Sequence, residues 1–195
     1  EVQERVKKVE PYVSWCHLDV TDGIFSKHET WRNSADLPFL NTTLSTEVHL
    51  MIEKPEKEID QWLVEPIKRI IVHWEAARVL DLIIKKCHNA RIEIGIAINP
   101  ETSWKSLLPW FGKVDMIQTL AVYPGPSGQE IREETYDKIN SIHTSCPECI
   151  IEVDGGINQH TGKKAIESGA SILVAGSFIF NAESIEGAIQ DLKNL

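Results

Sequence analysis

Apolar and polar positions along this chain switch between two periods. Short β-branched runs with every-second-residue alternation are separated by longer stretches in which apolar residues recur every three or four. That is the pattern of repeated strand and helix units around a parallel sheet. It predicts strands over Ser14 to Val20, Thr46 to Ile52, Arg69 to Trp74, Ile92 to Asn99, Val114 to Val122, Ile150 to Asp154 and Ile172 to Ala175. Helices are predicted over Pro55 to Leu63, Ala77 to His88, Ser103 to Phe111, Glu130 to His143, His160 to Ser168 and Ser184 to Leu192. An opening amphipathic helix carries Val2, Val6 and Val9 on one face. Pro55 and Glu56 supply the N-terminal proline and acidic first turn of one helix, and Gly169 closes another. No linker or compositional break interrupts the pattern, so a single domain over residues 1–195 is expected.

Two architectures accept that order, an open doubly wound sheet and a (β/α)8 barrel. The strand faces discriminate between them. Ile92, Ile94, Ile96 and Ile98 form one face against Glu93, Gly95, Ala97 and Asn99. Likewise Cys16, Leu18 and Val20 oppose Trp15, His17 and Asp19, while Val48, Leu50 and Ile52 oppose Glu47, His49 and Met51. An open sheet covered by helices on both sides should be apolar on both faces. A barrel explains one polar face, because its interior leads to a site at the strand C-terminal ends. The expected fold is therefore an α/β TIM barrel.

Composition narrows the partners. The 195 residues are 42% hydrophobic and 25% charged, ordinary for a globular chain able to bury one sizeable core without staples. Twenty basic against 29 acidic side chains give a net charge of −9, which argues against nucleic acid and anionic membranes as partners. Four cysteines, Cys16, Cys87, Cys146 and Cys149, are too few for a secreted disulfide framework, and a reducing cytoplasm is expected. No apolar run approaches the ~20 residues of a membrane span, and no signal-peptide core opens the chain.

Two constellations carry chemistry. His17 and Asp19 lie two apart on one strand, His49 is near the end of the next, and Asp154 ends a later one. Each histidine alone reads more readily as a hydrogen-bonded core or surface residue than as a ligand. Together the four suit a divalent transition metal, with Zn, Fe, Co or Mn favoured by imidazole. Glycine turns follow the last three strands at Gly125-Pro-Ser-Gly128, Asp154-Gly-Gly156 and Ala175-Gly-Ser177. Their backbone N–H groups suit a phosphate dianion, although single glycines often only permit positive φ. Cys146 and Cys149 have metal or redox spacing but no second pair, and no role is assigned to them. His73 and Glu75 end a strand and fit a structural or supporting place; His28, His88, His143 and His160 fit solvated or capping ones.

These residues resemble the ribulose-phosphate 3-epimerase family. The matching strings are His17-Leu-Asp-Val-Thr-Asp-Gly23, Val48-His-Leu-Met51, Asn99-Pro100, Tyr123-Pro-Gly-Pro-Ser-Gly-Gln129, Glu152-Val-Asp-Gly-Gly156 and Val174-Ala-Gly-Ser-Phe-Ile-Phe180, in family order over nearly the whole chain. The resemblance implies a (β/α)8 barrel that lacks its first N-terminal strand here, and one divalent metal ion held by His17, Asp19, His49 and Asp154. It implies Asp19 and Asp154 as the acid/base pair, and no organic cofactor. It also implies a phosphorylated sugar held by His49, Gly125, Pro126, Ser127, Gly128, Asp154, Gly155, Gly156, Gly176 and Ser177, with Met51 and Glu152 close behind. The implied reaction is C3 epimerisation of D-ribulose 5-phosphate to D-xylulose 5-phosphate in the pentose phosphate pathway. Family members are often oligomeric, so a homo-oligomer is compatible with it.

The chain departs from the family pattern at Thr21, where Met is usual, after Gly23, and at Pro126-Ser127, which replace Phe-Gly. These changes touch loops that select the sugar. They leave open a 3-epimerase for another ketose phosphate, such as allulose 6-phosphate, or a non-catalytic phosphosugar-binding barrel.

Overall fold

The computed structural model describes residues 1–195, which form two compact units, Glu1–Ile94 and Gly95–Leu195. The first opens with helix α1 (Val2–Val9), which buries Val6 and Val9 and carries Lys7 and Lys8 in its last turn, where they complement the negative helix end. Strands β1 (Trp15–Thr21), β2 (Ser45–Met51) and β3 (Ile67–His73) follow. β1 pairs β2 in parallel along its whole length, from Trp15 opposite Ser45 to Thr21 opposite Met51. β2 pairs β3 with a register shift between Thr46 and Glu47. Val48, Leu50, Ile70 and Val72 are completely buried. Helix α2 (Leu80–Asn89) lays Leu80, Ile83, Ile84 and Cys87 against the core at the three-to-four spacing read from sequence. The chain then enters β4 (Glu93–Ile98).

In the second unit, Gly95 to Ile98 of β4 pair in parallel with Met116 to Thr119 of β5 (Met116–Leu120). β5 pairs β6 (Ile151–Asp154), which pairs β7 (Ile172–Val174), again in parallel. Helices α3 (Glu134–Ser145) and α4 (Gln159–Glu167) alternate with them, and α5 (Ser177–Phe180) and α6 (Ile185–Lys193) follow β7. Asn158 caps α4 by accepting the His160 and Thr161 N–H groups, while Thr161 accepts the Asn158 N–H in return. Such a reciprocal box satisfies donors that the first helical turn leaves unpaired. Cys146, at the C-terminus of α3, is disulfide-bonded to Cys149, the pair with metal or redox spacing to which the sequence assigns no role.

Every pairing described is parallel and the strands follow chain order from β1 to β7, the α/β topology of a (β/α) barrel with seven of eight strands. Two predicted helices are 3-10 segments instead. Over 55–63 the chain makes Pro55–Lys57 and Ile59–Trp62; Ile59 and Trp62, three apart and fully buried, match a three-residue turn. Over 103–111 it makes Trp104–Trp110, with Pro109 inside, where an α-helix would lose a hydrogen bond and clash with the preceding turn. No helix is long and apolar enough to cross a membrane.

Candidate functional site

Parallel register turns the alternation of β1, β2 and β3 into rows of neighbouring side chains. His17 lies opposite Glu47, and Glu47 opposite Arg69, so these three share one row. His17 Nδ1 donates to Glu47 Oε1 at 2.8 Å, and Arg69 Nη1 donates to Glu47 Oε2 at 2.9 Å. Arg69 is fixed from its other side by Glu93, at 2.8 Å from Nε and 2.7 Å from Nη2, and its guanidinium lies 4.5 Å from the Trp15 ring centre. Four groups of alternating charge are thereby linked, with Glu47 and Arg69 buried. Without partners, charges in such positions would carry a large desolvation penalty.

One step further along the strands, Asp19 lies opposite His49. A single Asp19 oxygen, Oδ1, is 3.3 Å from His17 Nε2 and 3.2 Å from His49 Nδ1. His49 is fully buried, and its Nε2 lies 2.9 Å from Nε2 of His73, which is also fully buried. His73 Nδ1 in turn donates to Glu75 Oε2 at 3.2 Å. An ionised carboxylate only accepts hydrogen bonds, so Glu75 draws the His73 proton to Nδ1. Asp19 Oδ1, also an acceptor, draws hydrogen bonds from His49 Nδ1 and His17 Nε2. By the same logic Glu47 holds a proton on His17 Nδ1, so that Nε2 is the ring nitrogen that faces Asp19. The ligand atoms of His17, Asp19 and His49 lie within 4.8 Å of one another. Two imidazole nitrogens and a carboxylate oxygen are the donor set expected for a divalent transition ion, so these residues fit one.

The electrostatics follow from the contacts. Burial alone would lower the His17 pKa, but hydrogen bonds to Asp19 and Glu47 outweigh it and push it well up. Burial would raise Asp19, yet hydrogen bonds from His17 and His49 hold its carboxyl far below the usual range. Glu47 is lowered against burial by His17 and Arg69. At neutral pH Asp19 and Glu47 are therefore carboxylates. Asp22, which closes β1, accepts the N–H groups of Ile24, Phe25 and Glu53, each at 2.8 Å, and so ties the loop after β1 to the loop after β2.

In the second unit, Glu152 and Asp154 occupy β6, with Asp154 at its C-terminal end. Glu152 is fully buried and accepts from Gln118 Nε2 at 2.9 Å on the paired strand. Gly155 and Gly156 follow with φ of +106° and +69°. A Cβ on Gly155 would lie 2.6 Å from Val122 Cγ2, and one on Gly156 would lie 3.0 Å from both Cα and Cβ of Ile131. The turn after β6 thus fits against the segment after β5 only without side chains. Gly125, Pro126, Ser127 and Gly128 form the loop after β5, where Gln129 Nε2 donates to the carbonyls of Tyr123 and Pro126 at 2.9 and 3.0 Å. Gly176 follows β7 and Ser177 begins α5; a Cβ on Gly176 would meet nothing within 4 Å. Met51 ends β2 and is buried.

The structure thus brings His17, Asp19 and His49 together as the alternation predicted. It adds Arg69, which sequence reasoning did not single out, and gives Glu47 and Glu93, read only as parts of polar faces, specific bonds to His17 and to Arg69. The sequence signal for them is opposite charge at interior positions of neighbouring strands.

A model of the ribulose-phosphate 3 epimerase family matches residues 1–180. Ribulose-phosphate 3-epimerase of Schizosaccharomyces pombe is 32% identical over 184 residues, covering 92% of this chain and 81% of that protein. The enzyme of Chlamydia muridarum is 35% identical over 177 residues, covering 87% and 77%. Among solved structures, 3-hexulose-6-phosphate synthase from Salmonella typhimurium superposes with a TM-score of 0.74 at 14% identity, over 100% of this chain and 91% of that one. At that identity the likeness concerns the fold.

Proposed function

Because the chain belongs to the ribulose-phosphate 3 epimerase family, we propose that it interconverts D-ribulose 5-phosphate and D-xylulose 5-phosphate by moving a proton at C3, in the cytoplasm. The family makes it an isomerase acting on a phosphorylated sugar. The observation that carries the finer reading is the cluster of His17, Asp19 and His49, three metal-type donors within 4.8 Å of one another in a chain that matches the family almost throughout.

Epimerisation next to a carbonyl requires a proton to leave one face of C3 and another to arrive on the opposite face, which two carboxyl groups accomplish. Asp19 enters as a carboxylate, stabilised by His17 and His49, and takes the proton. Asp154 delivers one from the other side, and the roles exchange in the reverse direction. His17, Asp19, His49 and Asp154 would hold a divalent Zn, Fe, Mn or Co ion, which would supply electrophilic stabilisation of the negative charge that develops as the C3 proton leaves. No organic cofactor is required. Backbone N–H groups at Gly155, Gly156, Gly176 and Ser177 and in the Gly125 to Gly128 loop bind the phosphate, whose remote binding energy orients C3.

The test is conversion of ribulose 5-phosphate to xylulose 5-phosphate with and without a chelator, together with deuterium uptake at C3 from heavy water. Metal-replete protein should turn over and exchange, and chelated protein should do neither. Absence of both conversion and exchange in metal-replete protein would sink the proposal. Asp154→Asn should abolish turnover while retaining phosphosugar binding; loss of all binding in a folded variant would reassign Asp154.

A further inference from the structure

We propose that Arg69 and Glu47 are positioning residues that set the metal affinity of His17 by fixing its ring orientation and reserving Nε2 as the ligand atom. The proposal rests on the metal reading above. Its basis is geometric. A histidine on a strand can rotate or exchange its two nitrogens, and either choice would remove Nε2 from Asp19. Glu47 Oε1, 2.8 Å from Nδ1, permits one arrangement, because a carboxylate oxygen accepts and only Nδ1–H can donate to it. An anionic acceptor on the far nitrogen also raises the electron-donating power of the nitrogen that binds metal.

Glu47 is itself held. Its second oxygen accepts from Arg69 Nη1 at 2.9 Å, which leaves Oε1 aimed along the row at His17. Arg69 can do this because its fork also grips Glu93 through Nε and Nη2 and its flat face rests on Trp15. Two carboxylates approached by different edges of one planar group make this a task for arginine and not for lysine, whose point charge fixes no direction. Glu47 and Arg69 are both buried and neither reaches Asp19, so their influence on the metal passes through His17.

The experiment measures Co2+ alone binding to chelator-stripped full-length protein, by competition with a chromophoric chelator and by the visible d–d absorption. Glu47→Gln and Arg69→Met should each weaken the dissociation constant about 10- to 100-fold and alter the absorption band, and Arg69→Lys should rescue only part of the loss. In Zn2+-loaded wild type, nitrogen-15 spectra should show the His17 proton on Nδ1. Ile139→Val, which trims the buried core of α3, should leave Co2+ affinity unchanged and so controls for stability loss alone. Wild type that binds Co2+ tightly while Glu47→Gln and Arg69→Met stay within about twofold of it would overturn the inference and leave the metal reading intact. Wild type that binds no metal would overturn both. If Glu47→Gln or Arg69→Met fails to fold, Arg69→Lys and the wild-type spectrum decide. Lysine with full wild-type affinity, or the His17 proton on Nε2, would refute the inference.

Discussion

Replacing Gly156 by alanine tests whether the turn that follows Asp154 is closed by steric necessity. Gly156 has φ of +69°, a left-handed conformation that costs an L-residue roughly 1–2 kcal/mol. Its added Cβ would also press on Ile131, with Cα and Cβ 3.0 Å away and the backbone nitrogen closer still. Backbone cannot swing aside as a side-chain end does, so overpacking adds about 1–3 kcal/mol. The expected total is roughly 2–5 kcal/mol. Gly128→Ala supplies the control, because φ there is +86° but nothing lies within 4 Å of the new Cβ. Only the conformational cost of roughly 1–2 kcal/mol applies. The stiffening of the unfolded chain by alanine is common to both and cancels in the comparison. In a chain of this size about 1 kcal/mol moves Tm by roughly 2–4 °C, so Gly156→Ala should melt about 2–12 °C below Gly128→Ala. Urea unfolding and calorimetry of the two variants measure the difference. Equal stabilities would show that the contact with Ile131 relaxes freely, and would refute the view that the segment after β5 clamps this turn.

Three further outcomes follow from side chains that tie loops together. Asp22→Asn should destabilise the protein by about 1–3 kcal/mol at neutral pH, since a neutral amide oxygen replaces a carboxylate that accepts three backbone N–H groups. The folded-state pKa of Asp22 is lowered because these bonds outweigh burial; its contribution is therefore full above the ordinary value near 3.8 and is lost as pH falls through the lower folded value. The gap between wild type and Asp22→Asn in urea should accordingly shrink in acid, and a gap that widens there would contradict the assignment. Lys138→Met removes donors to the Asn99 and Pro100 carbonyls, at 2.8 and 2.7 Å, and should cost about 1–3 kcal/mol by the same measurement, with Lys138→Arg closer to wild type. His73→Phe should lower metal affinity by about tenfold or more, read by Co2+ titration, because His49 Nε2 loses its hydrogen-bond partner and the ring its fixed orientation.

Much of the fold was legible because strand and helix periods respond to burial on one face. All seven strands and the order of helices between them lie where the alternation placed them. The misses share a cause. Pro109 and the three-residue spacing of Ile59 and Trp62 satisfy a helical pattern of apolar residues while excluding or not requiring α-helical hydrogen bonding, and a pattern of side chains alone does not distinguish the two turns. The short 3-10 stretch Ser34–Phe39, with Pro38 inside it, gave no periodic signal at all.

The site shows a sharper limit. His17 and Asp19 share a face by alternation within one strand, and the unbroken β1 to β2 register carries that face to Glu47 and His49, so these positions follow from counting. Arg69 does not, because the pairing of β2 with β3 slips. Thr46 lies opposite Ile67 but Glu47 lies opposite Arg69, and Lys68 is left out of the ladder, exposed and bonded to Glu65. A constant register would have set Lys68 beside Glu47 and turned Arg69 to the opposite face, since a one-residue slip exchanges faces. The shift therefore does more than bend a strand. It exchanges a flexible, strongly hydrated ammonium for a planar fork that reaches Glu47 and Glu93 together, and places the lysine in water, where its charge costs little. A substitution that restored regular pairing from Thr46 onward would turn Ile70 and Val72 to the opposite face together with Arg69, so the core and the support behind His17 would be lost together and stability would fall with metal affinity.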